Sequence, residues 1–339
     1  MTLSSTLRVS PQITFVCCVE SGALEGQTVR MVESLRRWGG QFANAPLIAV
    51  TPRLGSPLSR ETHRAFERLQ VEYLSFQAKS KYSWFGFMNK PYALAAVQEH
   101  STSECIGWLD SDLLFLGEPE QLILNEGEDF LACCTDDSGG TTGPEHPSEP
   151  YWKESCQAIG IDNIEDLPWI TAHLQGTRIR LYWNSGVFVY RRSTGFANNY
   201  LQACIQLLNT RIANKDADIG IFFTDQVALV LTVVKMGLSW QSLPYSHNYP
   251  MQSLIHAEWY NEEQLKAAKI LHYHDCMWPH FWPEFINCLR KTHPSVADWL
   301  SSIGPMKNEA PLHWRTTNKL LKHFRSRKQS AYKKLCQVI

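Results

Sequence analysis

The sequence predicts an α/β fold in which helices cover both faces of a mostly parallel central sheet. Short apolar runs typical of buried strands alternate with helical patterns through the first half of the chain. Hydrophobic residues make up 44% of the 339 residues and charged residues 19%, so the chain can bury a sizeable core. No apolar run approaches the ~18 residues that a membrane-spanning helix needs.

The individual elements follow from local signals in the sequence. Gly39 ends the first helix, Ser59 is placed to cap the second, and Pro91 lies in the first turn of the third. The predicted strands are Ile13–Val19, Leu47–Val50, Val71–Phe76, Glu104–Leu109, Asp129–Cys134, Ile179–Arg191 and Ala268–Tyr273. The predicted helices are Gln27–Trp38, Ser59–Gln70, Lys90–His100, Phe196–Leu208 and Thr224–Lys235.

One long loop interrupts the alternation. Residues 135–150 contain no large apolar side chain and are rich in Gly, Pro, Ser and Thr. This composition predicts a mobile loop, either a surface insertion or a lid beside a site. The sequence leaves the two alternatives open.

The charge is unevenly distributed, although the formal net charge is only −1. From Lys307 onward the chain has nine Lys or Arg residues and one acidic residue, which leaves 23 basic and 32 acidic residues elsewhere. The balanced total argues against general nucleic-acid binding. We predict one domain over residues 1–306 and a basic, helical, amphipathic tail over residues 307–339. Such a tail is suited to peripheral contact with an anionic membrane, and a solvated helix is the alternative.

The ten cysteines do not form a zinc-finger or disulfide pattern. Two pairs are adjacent, Cys17 with Cys18 and Cys133 with Cys134, and each pair lies in a predicted strand. Adjacent strand residues point to opposite faces, and a free Cys behaves as a small buried hydrophobe. We therefore expect a reduced, cytoplasmic protein, with possible attachment to the inner face of the membrane through its tail.

Two aspartates, Asp110 and Asp112, stand at the end of a predicted buried strand, and apolar residues resume at Leu113. Because residues two apart on an extended chain point to the same side, both carboxylates converge on one point, where their charges repel. A divalent cation removes this repulsion and can also hold a diphosphate. The alternative is an Asp that caps a helix beside an Asp in a turn.

Five further motifs surround this DxD pair in the chain. They are Asn89–Leu94 (NKPYAL), Trp183–Val189 (WNSGVFV), Thr224–Gln226 (TDQ), His247–Tyr249 (HNY) and Ile270–Tyr273 (ILHY). In this order, over roughly residues 12–280, the set resembles GT-A-fold glycosyltransferases. The resemblance is to the retaining family that includes glycogenin and bacterial lipopolysaccharide galactosyltransferases.

The resemblance implies a Rossmann-like GT-A fold and a role for each matching residue. It implies a Mn²⁺ (or Mg²⁺) site made by Asp110, Asp112 and His272. It implies donor-sugar binding by Lys90, Asp110, Ser111, Asn184 and Ser185, and catalytic positions at Asp225, Gln226 and Asn184. The reaction implied is transfer of a hexosyl group from a nucleotide-diphosphate sugar, a UDP-sugar, to a carbohydrate or lipid-linked acceptor with retention of configuration.

The sequence departs from the family pattern after His272. The family has a Gly and then Lys-Pro-Trp there, and these residues help to hold the diphosphate, whereas this chain has His274, Asp275 and Cys276 before Met-Trp-Pro. His274 is therefore a rival to His272 as metal ligand. A zinc site made by His272, His274 and Cys276 is a further alternative.

Two alternatives to a transferase remain, and each would also bind a sugar nucleotide. A sugar-nucleotidyltransferase needs a Gly-rich basic loop after its first strand, but residues 20–27 contain two acidic residues and no basic one. A non-catalytic sugar-nucleotide-binding protein would tolerate the altered segment after His272.

Trp84, Trp278 and Trp282 lie near the predicted site segments and are candidates for stacking on a sugar, although most Trp residues are core.

Overall fold

The structure, a computed structural model, describes residues 13–214, 221, 223–251, 260–308 and 310–339. The strands are β1 Ile13–Cys18, β2 Leu47–Thr51, β3 Val71–Ser75, β4 Cys105–Leu109, β5 Leu113–Phe115, β6 Phe130–Cys133, β7 Trp169–Thr171, β8 Arg178–Arg180, β9 Asn184–Arg191, β10 Ile212–Ala213, β11 Trp240–Ser242, β12 Tyr249–Pro250, β13 Ile270–His272 and β14 Gln337–Val338. The helices are α1 Ala23–Trp38, α2 Arg60–Arg68, α3 Asn89–His100, α4 Glu149–Ile159, α5 Phe196–Thr210, α6 Thr224–Lys235, α7 Glu262–Ala267, α8 Trp282–Thr292, α9 Pro294–Ile303 and α10 Leu312–Lys333.

The central sheet has seven strands in the order β11-β6-β9-β4-β1-β2-β3. Only β9 runs antiparallel to its neighbours within this sheet, so the sheet is mostly parallel as predicted. Phe15 and Cys17 of β1 pack on one face with α1 and α2, whereas Val16 packs on the other face with α3, α5 and α6. The α/β fold with helices on both faces is therefore confirmed.

A second sheet of three strands, β12-β13-β5, extends the fold beyond the paired aspartates. In it β13 runs antiparallel to β5, with Leu271 opposite Leu114 and His272 opposite Leu113. Helices α8 and α9 pack against this sheet in a core of their own. The register matters for function because Leu113 directly follows Asp112, so the end of β13 lies beside the aspartates.

The predicted strand Ile179–Arg191 is two strands in the structure. Strand β8 pairs with β7 in a separate hairpin, and β9 belongs to the central sheet. Leu181, Tyr182 and Trp183 connect them and are buried. An apolar pattern could not show this break, because the connecting residues are as apolar and as buried as the strand residues that flank them.

Residues 135–148 pack into the body of the protein and lead into α4. Gly139–Thr141 are buried, and the Trp152 indole donates a hydrogen bond to the Gly139 carbonyl at 3.1 Å. The Thr141 hydroxyl donates to Glu149, which is paired with buried Arg180 at 2.8 Å. The centre of this loop is therefore packed into the protein, whereas Ser138, Thr142 and Pro144 beside it are exposed. Whether the loop acts as a lid stays a prediction.

The predicted helical tail is confirmed by α10, which lies against the body. Asn318, Arg325 and Tyr332 recur at an interval of seven residues, and all three contact the body from one face of the helix. Strand β14 then pairs with β10. Among the described residues, no helix combines the length and the apolar character that crossing a membrane requires.

Candidate active site

A cavity of about 810 Å³ opens at the carboxyl ends of the parallel strands β1, β2, β4 and β6. Each of these strands contributes a lining residue at or just after its end: Cys18, Arg53, Asp110 and Thr135. Open α/β sheets bind ligands at this edge because the loops that follow parallel strands converge there.

The DxD segment forms the turn between β4 and β5. Asp110 Oδ1 accepts a hydrogen bond from the Trp108 indole at 2.7 Å, and it lies 3.4 Å from Lys90 Nζ. The Ser111 hydroxyl donates to the Cys18 carbonyl at 2.6 Å, which ties the turn to β1. Burial raises the pKa of Asp110 despite the opposing effect of Lys90. Both carboxylates line the cavity, but they lie in a turn and not on an extended strand, and Asp110 and Asp112 have different partners.

Asp112 meets two histidines. Asp112 Oδ1 lies 3.3 Å from His272 Nε2, and the rings of His272 and His274 stack with centroids 4.1 Å apart. One ligand atom from each of the three residues lies within 4.8 Å of the others. His274 joins this group because its φ of 47° is left-handed and turns the chain back at the end of β13.

The electrostatics of this group depend on the partners of each ring. The Asn248 side-chain oxygen lies 3.2 Å from His272 Nδ1, which leaves Nε2 directed at Asp112. Although burial opposes it, the charge of His272 holds the pKa of Asp112 well below its usual value. Burial and the neighbouring His272 lower the pKa of His274 to about 4, so its imidazole is neutral near pH 7. Neutral imidazole is the form that binds metals.

A carboxylate with two imidazoles is a donor set that suits Mn²⁺ or another transition metal better than Mg²⁺, which prefers oxygen ligands. The residues present therefore fit the metal that the resemblance implies. The grouping differs from the predicted set of Asp110, Asp112 and His272, since His274 joins it and Asp110 Oδ1 is held by Trp108.

The zinc alternative requires Cys276, and the structure does not bring that thiol to the histidines. The Cys276 thiol donates to the Met251 carbonyl at 3.3 Å, and the side chain is buried in the core beside α8 and α9. Burial raises the pKa of Cys276, which disfavours the thiolate that zinc needs. The zinc site that includes Cys276 is therefore wrong.

Lys90 is the buried centre of a charge cluster behind the DxD turn. Its ammonium donates to the Ser185 carbonyl at 2.8 Å, to the Ser185 hydroxyl at 2.5 Å and to Asp225 Oδ2 at 3.2 Å. Burial opposes the charge, but Asp110 and Asp225 outweigh it and raise the pKa of Lys90. An ammonium has three hydrogens, so these acceptors already engage all of them. Lys90 therefore holds Ser185 and Asp225 through hydrogen bonds and Asp110 through its charge.

The three predicted catalytic residues fall into two groups. Asn184 and Gln226 line the cavity, whereas Asp225 is buried behind Lys90 and does not line it. Asn184 Oδ1 accepts from the Gly186 amide at 2.8 Å and from Asn248 at 2.9 Å, and Gln226 Oε1 accepts from the Tyr182 hydroxyl at 2.6 Å. Each side-chain oxygen is thus held by the protein, which orients the amide group.

Gly186 allows this close approach. A Cβ at Gly186 would lie 2.7 Å from His272 Cε1 and 2.9 Å from Asn184 Oδ1, closer than real contacts permit. Only a residue without a Cβ fits here, because β9 passes directly beneath the metal-ligand group.

Sequence analysis missed several residues that line the cavity, among them Arg53, Asn89, Trp108 and Asp136. Arg53 and Asp136 each follow a central strand by a few residues. Asp110 was identified as a charged residue just after a buried strand, and the same criterion could have identified these two. Trp84, Trp278 and Trp282 do not line the cavity and pack in apolar clusters instead. Trp108 does line it, with Lys90 Nζ 5.4 Å from its ring centroid.

The chain is similar to several known proteins. Solved structures similar to the chain include the bifunctional glycosyltransferase WbbM (11% identity, TM-score 0.49, 86% of this chain and 52% of WbbM). They also include GlyE from Streptococcus pneumoniae TIGR4 (16% identity, TM-score 0.47, 89% of this chain and 66% of GlyE). A third is mouse xyloside xylosyltransferase 1 in its apo form (12% identity, TM-score 0.42, 77% of this chain and 97% of the mouse protein). The chain therefore spans about half the length of WbbM and about two thirds of that of GlyE. Comparison with curated proteins found no match.

The family comparison covers most of the central sheet and the site. The model of the Rhodobacterales glycosyltransferase domain matches residues 15–237, which is more than half of the chain and includes Lys90, Asp110, Asp112, Asn184 and Gln226. The chain belongs to this glycosyltransferase family.

Proposed function

We propose that the protein transfers a hexosyl group from a UDP-sugar to a carbohydrate or lipid-linked acceptor, that it depends on Mn²⁺, and that it retains the anomeric configuration. One observation carries the proposal: Asp112, His272 and His274 offer metal ligands within 4.8 Å of one another in the same cavity as Asp110. Retention is proposed from the resemblance of the motifs to retaining enzymes.

Asp112, His272 and His274 would hold the metal, with Asp110 beside them. A bound Mn²⁺ supplies positive charge to the diphosphate of the donor as it leaves. Asn184 and Gln226 bind sugar hydroxyls through their amide groups, which Gly186 and Tyr182 orient from behind. Lys90 pairs with Asp110 and Asp225 through its buried ammonium group, which positions the DxD turn rather than binding the phosphate directly. Asp225 is a positioning residue in this proposal, because it lies behind Lys90.

The test is hydrolysis of a panel of UDP-sugars by metal-stripped protein with and without added Mn²⁺. We expect Mn²⁺-dependent release of UDP from at least one donor, and loss of that activity in Asp112→Asn. Asp162→Asn is the matched control, because Asp162 is exposed and does not line the cavity. Full activity of Asp112→Asn, or equal activity with and without Mn²⁺, would contradict the metal-dependent mechanism.

The loop after β1 weighs against a nucleotidyltransferase. Glu25 caps α1 by accepting from the Gly22 amide at 2.9 Å, and Glu20 is paired with Arg53. Both acidic residues of the loop thus have structural partners, and the loop offers no basic side chain to a phosphate.

We also propose that the outward face of α10 touches an anionic membrane from the cytoplasmic side. Leu320 is 59% exposed and Phe324 64% exposed, and basic residues such as Lys322 and Lys328 are exposed around them. This combination suits the interface of an anionic bilayer. The ten cysteines are free thiols, which agrees with a reducing compartment.

Co-sedimentation with phosphatidylglycerol vesicles tests this contact. We expect binding in low salt that weakens in high salt, because screening shortens the reach of surface charges. The double variant Leu320→Ser and Phe324→Ser should bind less, whereas Ile123→Ser, at an exposed position on the body, should bind as the wild type does. Equal sedimentation of all three proteins would refute the membrane role of α10.

A further inference from the structure

We infer that Arg325 of α10 is a positioning residue for the nucleotide-sugar end of the cavity and that it acts through Glu20. The inference rests on the proposed function for the identity of the ligand. Every candidate site residue that the sequence offered lies at or before Trp282, so a role for Arg325 lies outside what the motifs predict.

Glu20 links the tail to two residues that line the cavity. Its carboxylate accepts hydrogen bonds from Arg53 in a two-pronged pair, with Nη2 at 2.9 Å, and from the Asn89 amide at 2.8 Å. Arg325 Nη1 lies 3.6 Å from Glu20 Oε2, and the other guanidinium nitrogen donates to the Leu54 carbonyl. The Glu20 carboxylate therefore fixes the positions of Arg53 and Asn89. Arg325, from α10, is the second cation paired with Glu20.

The charges in this cluster are sheltered from water. The side chains of Glu20, Arg53 and Arg325 are 16%, 11% and 23% exposed, so their interactions are weakly screened. Two guanidinium groups share one carboxylate, so these three side chains together carry a net positive charge, and Arg53 brings part of it to the cavity lining. Such a charge suits an anionic ligand such as a nucleoside diphosphate.

Two further contacts of α10 reach segments that border the same cavity. The Tyr332 ring packs against Trp84 with centroids 5.2 Å apart, and Trp84 lies just before the lining residue Phe87. Asn318 Nδ2 donates to the Ser21 carbonyl at 3.3 Å, in the loop that leads to the lining residue Leu24. The inward face of α10 therefore contacts both the loop after β1 and the segment before α3, and it holds the two in a fixed relative position.

Loss of Arg325 removes the bracing cation without changing any residue that lines the cavity. We expect Arg325→Ala to raise the Kd for UDP about fivefold to tenfold, within the usual range for coupling between sites. The turnover of bound donor should change little, because Asp112, His272 and Gln226 are untouched. A KM effect without a kcat effect separates this role from general damage to the fold.

The experiment compares wild type, Arg325→Ala, Arg325→Lys and Arg327→Ala. Arg327 is the matched control, since it is an exposed arginine on the same helix. Isothermal titration with UDP and Mn²⁺ gives the affinity, and hydrogen exchange of the amides in residues 20–25 and 84–89 gives the local order without any ligand. We expect Arg325→Ala to exchange faster in both segments and to bind UDP more weakly, with Arg325→Lys intermediate and Arg327→Ala unchanged.

The two readouts separate the inference from the proposed function. If wild type binds no UDP, the proposed donor is wrong, and the exchange rates alone then decide whether Arg325 orders the cavity edge. If Arg325→Ala exchanges as wild type does, the positioning role is refuted. Faster exchange with unchanged UDP affinity would also overturn it, because the bracing would then have no consequence for the ligand.

Discussion

Replacing Lys90 with Met should destabilise the protein strongly, because it removes the cation between a buried and a partly buried carboxylate. Lys90 Nζ lies 3.2 Å from Asp225 and 3.4 Å from Asp110, but the Asp225 side chain is 4% exposed and that of Asp110 27%. At an effective dielectric constant of about 20, each pair attracts by about 5 kcal/mol before desolvation is counted. Water screens the Asp110 pair more, so the Asp225 pair dominates the net effect.

Removing one partner of a buried pair costs about 3–5 kcal/mol, since the other charge is left buried and unpaired. We therefore expect Lys90→Met to lower the free energy of unfolding by about 3–5 kcal/mol in urea titrations with EDTA present. Met keeps the length and apolar bulk of the Lys stem, so little of this loss comes from a cavity. Lys322→Met, at an exposed position of α10, should change stability by less than about 0.5 kcal/mol.

A double-mutant cycle checks the cause. Adding Asp225→Asn to Lys90→Met removes the stranded charge and should restore at least about 1 kcal/mol. The reasoning is refuted if Lys90→Met unfolds within about 1 kcal/mol of wild type, or if the effects of the two substitutions simply add. Either result would mean that Lys90 is not the charge partner of Asp225 in solution.

Three other predictions follow from the same geometry. His272→Ala and His274→Ala should each weaken Mn²⁺ binding at least about tenfold in calorimetry. The control His323→Ala, at an exposed position, should bind Mn²⁺ as the wild type does. If only His272→Ala weakens binding, the ligands are the predicted Asp110, Asp112 and His272, without His274. Gly186→Ala places a Cβ 2.7 Å from the His272 ring, so it should cost about 1–3 kcal/mol of stability and weaken Mn²⁺ binding; a variant that matches wild type in both would contradict the close packing. Burial lowers the pKa of His247 to about 4 from 6.5, so its stabilising effect is complete above pH 6.5 and is lost as the pH falls toward 4. The free energy of unfolding, measured in urea, should therefore fall less between pH 7 and pH 5 in His247→Gln than in wild type. An equal fall in both proteins would refute this role of His247.

Local pattern alone determined the fold class and the centre of the site. The apolar run that ends at Leu109 placed Asp110 and Asp112 at the edge of a buried strand, and the structure puts both in the cavity. The adjacent pair Cys17 and Cys18 pointed to a strand buried on both faces, and the two residues do pack on opposite faces. These predictions succeeded because strand geometry and burial depend on residues that are close in the chain.

Side chains that meet from distant segments could not be assigned in the same way. His274 joins Asp112 because a left-handed turn folds it back, and the spacing between His272 and His274 cannot reveal that turn. Asp225 reaches Lys90 because the folded chain brings the first turn of α6 to the first turn of α3, which the TDQ motif cannot show.

The order of residue types along the chain was thus enough to predict the α/β fold, the aspartate pair and the glycosyltransferase motifs. Folding in three dimensions sets which of these side chains face the cavity, which ones hold others in place, and how Arg325 reaches Glu20. The difference arises because burial and periodicity are encoded within a few residues. The register of β13 on β5 and the docking of α10 depend instead on packing between segments that are far apart in the chain.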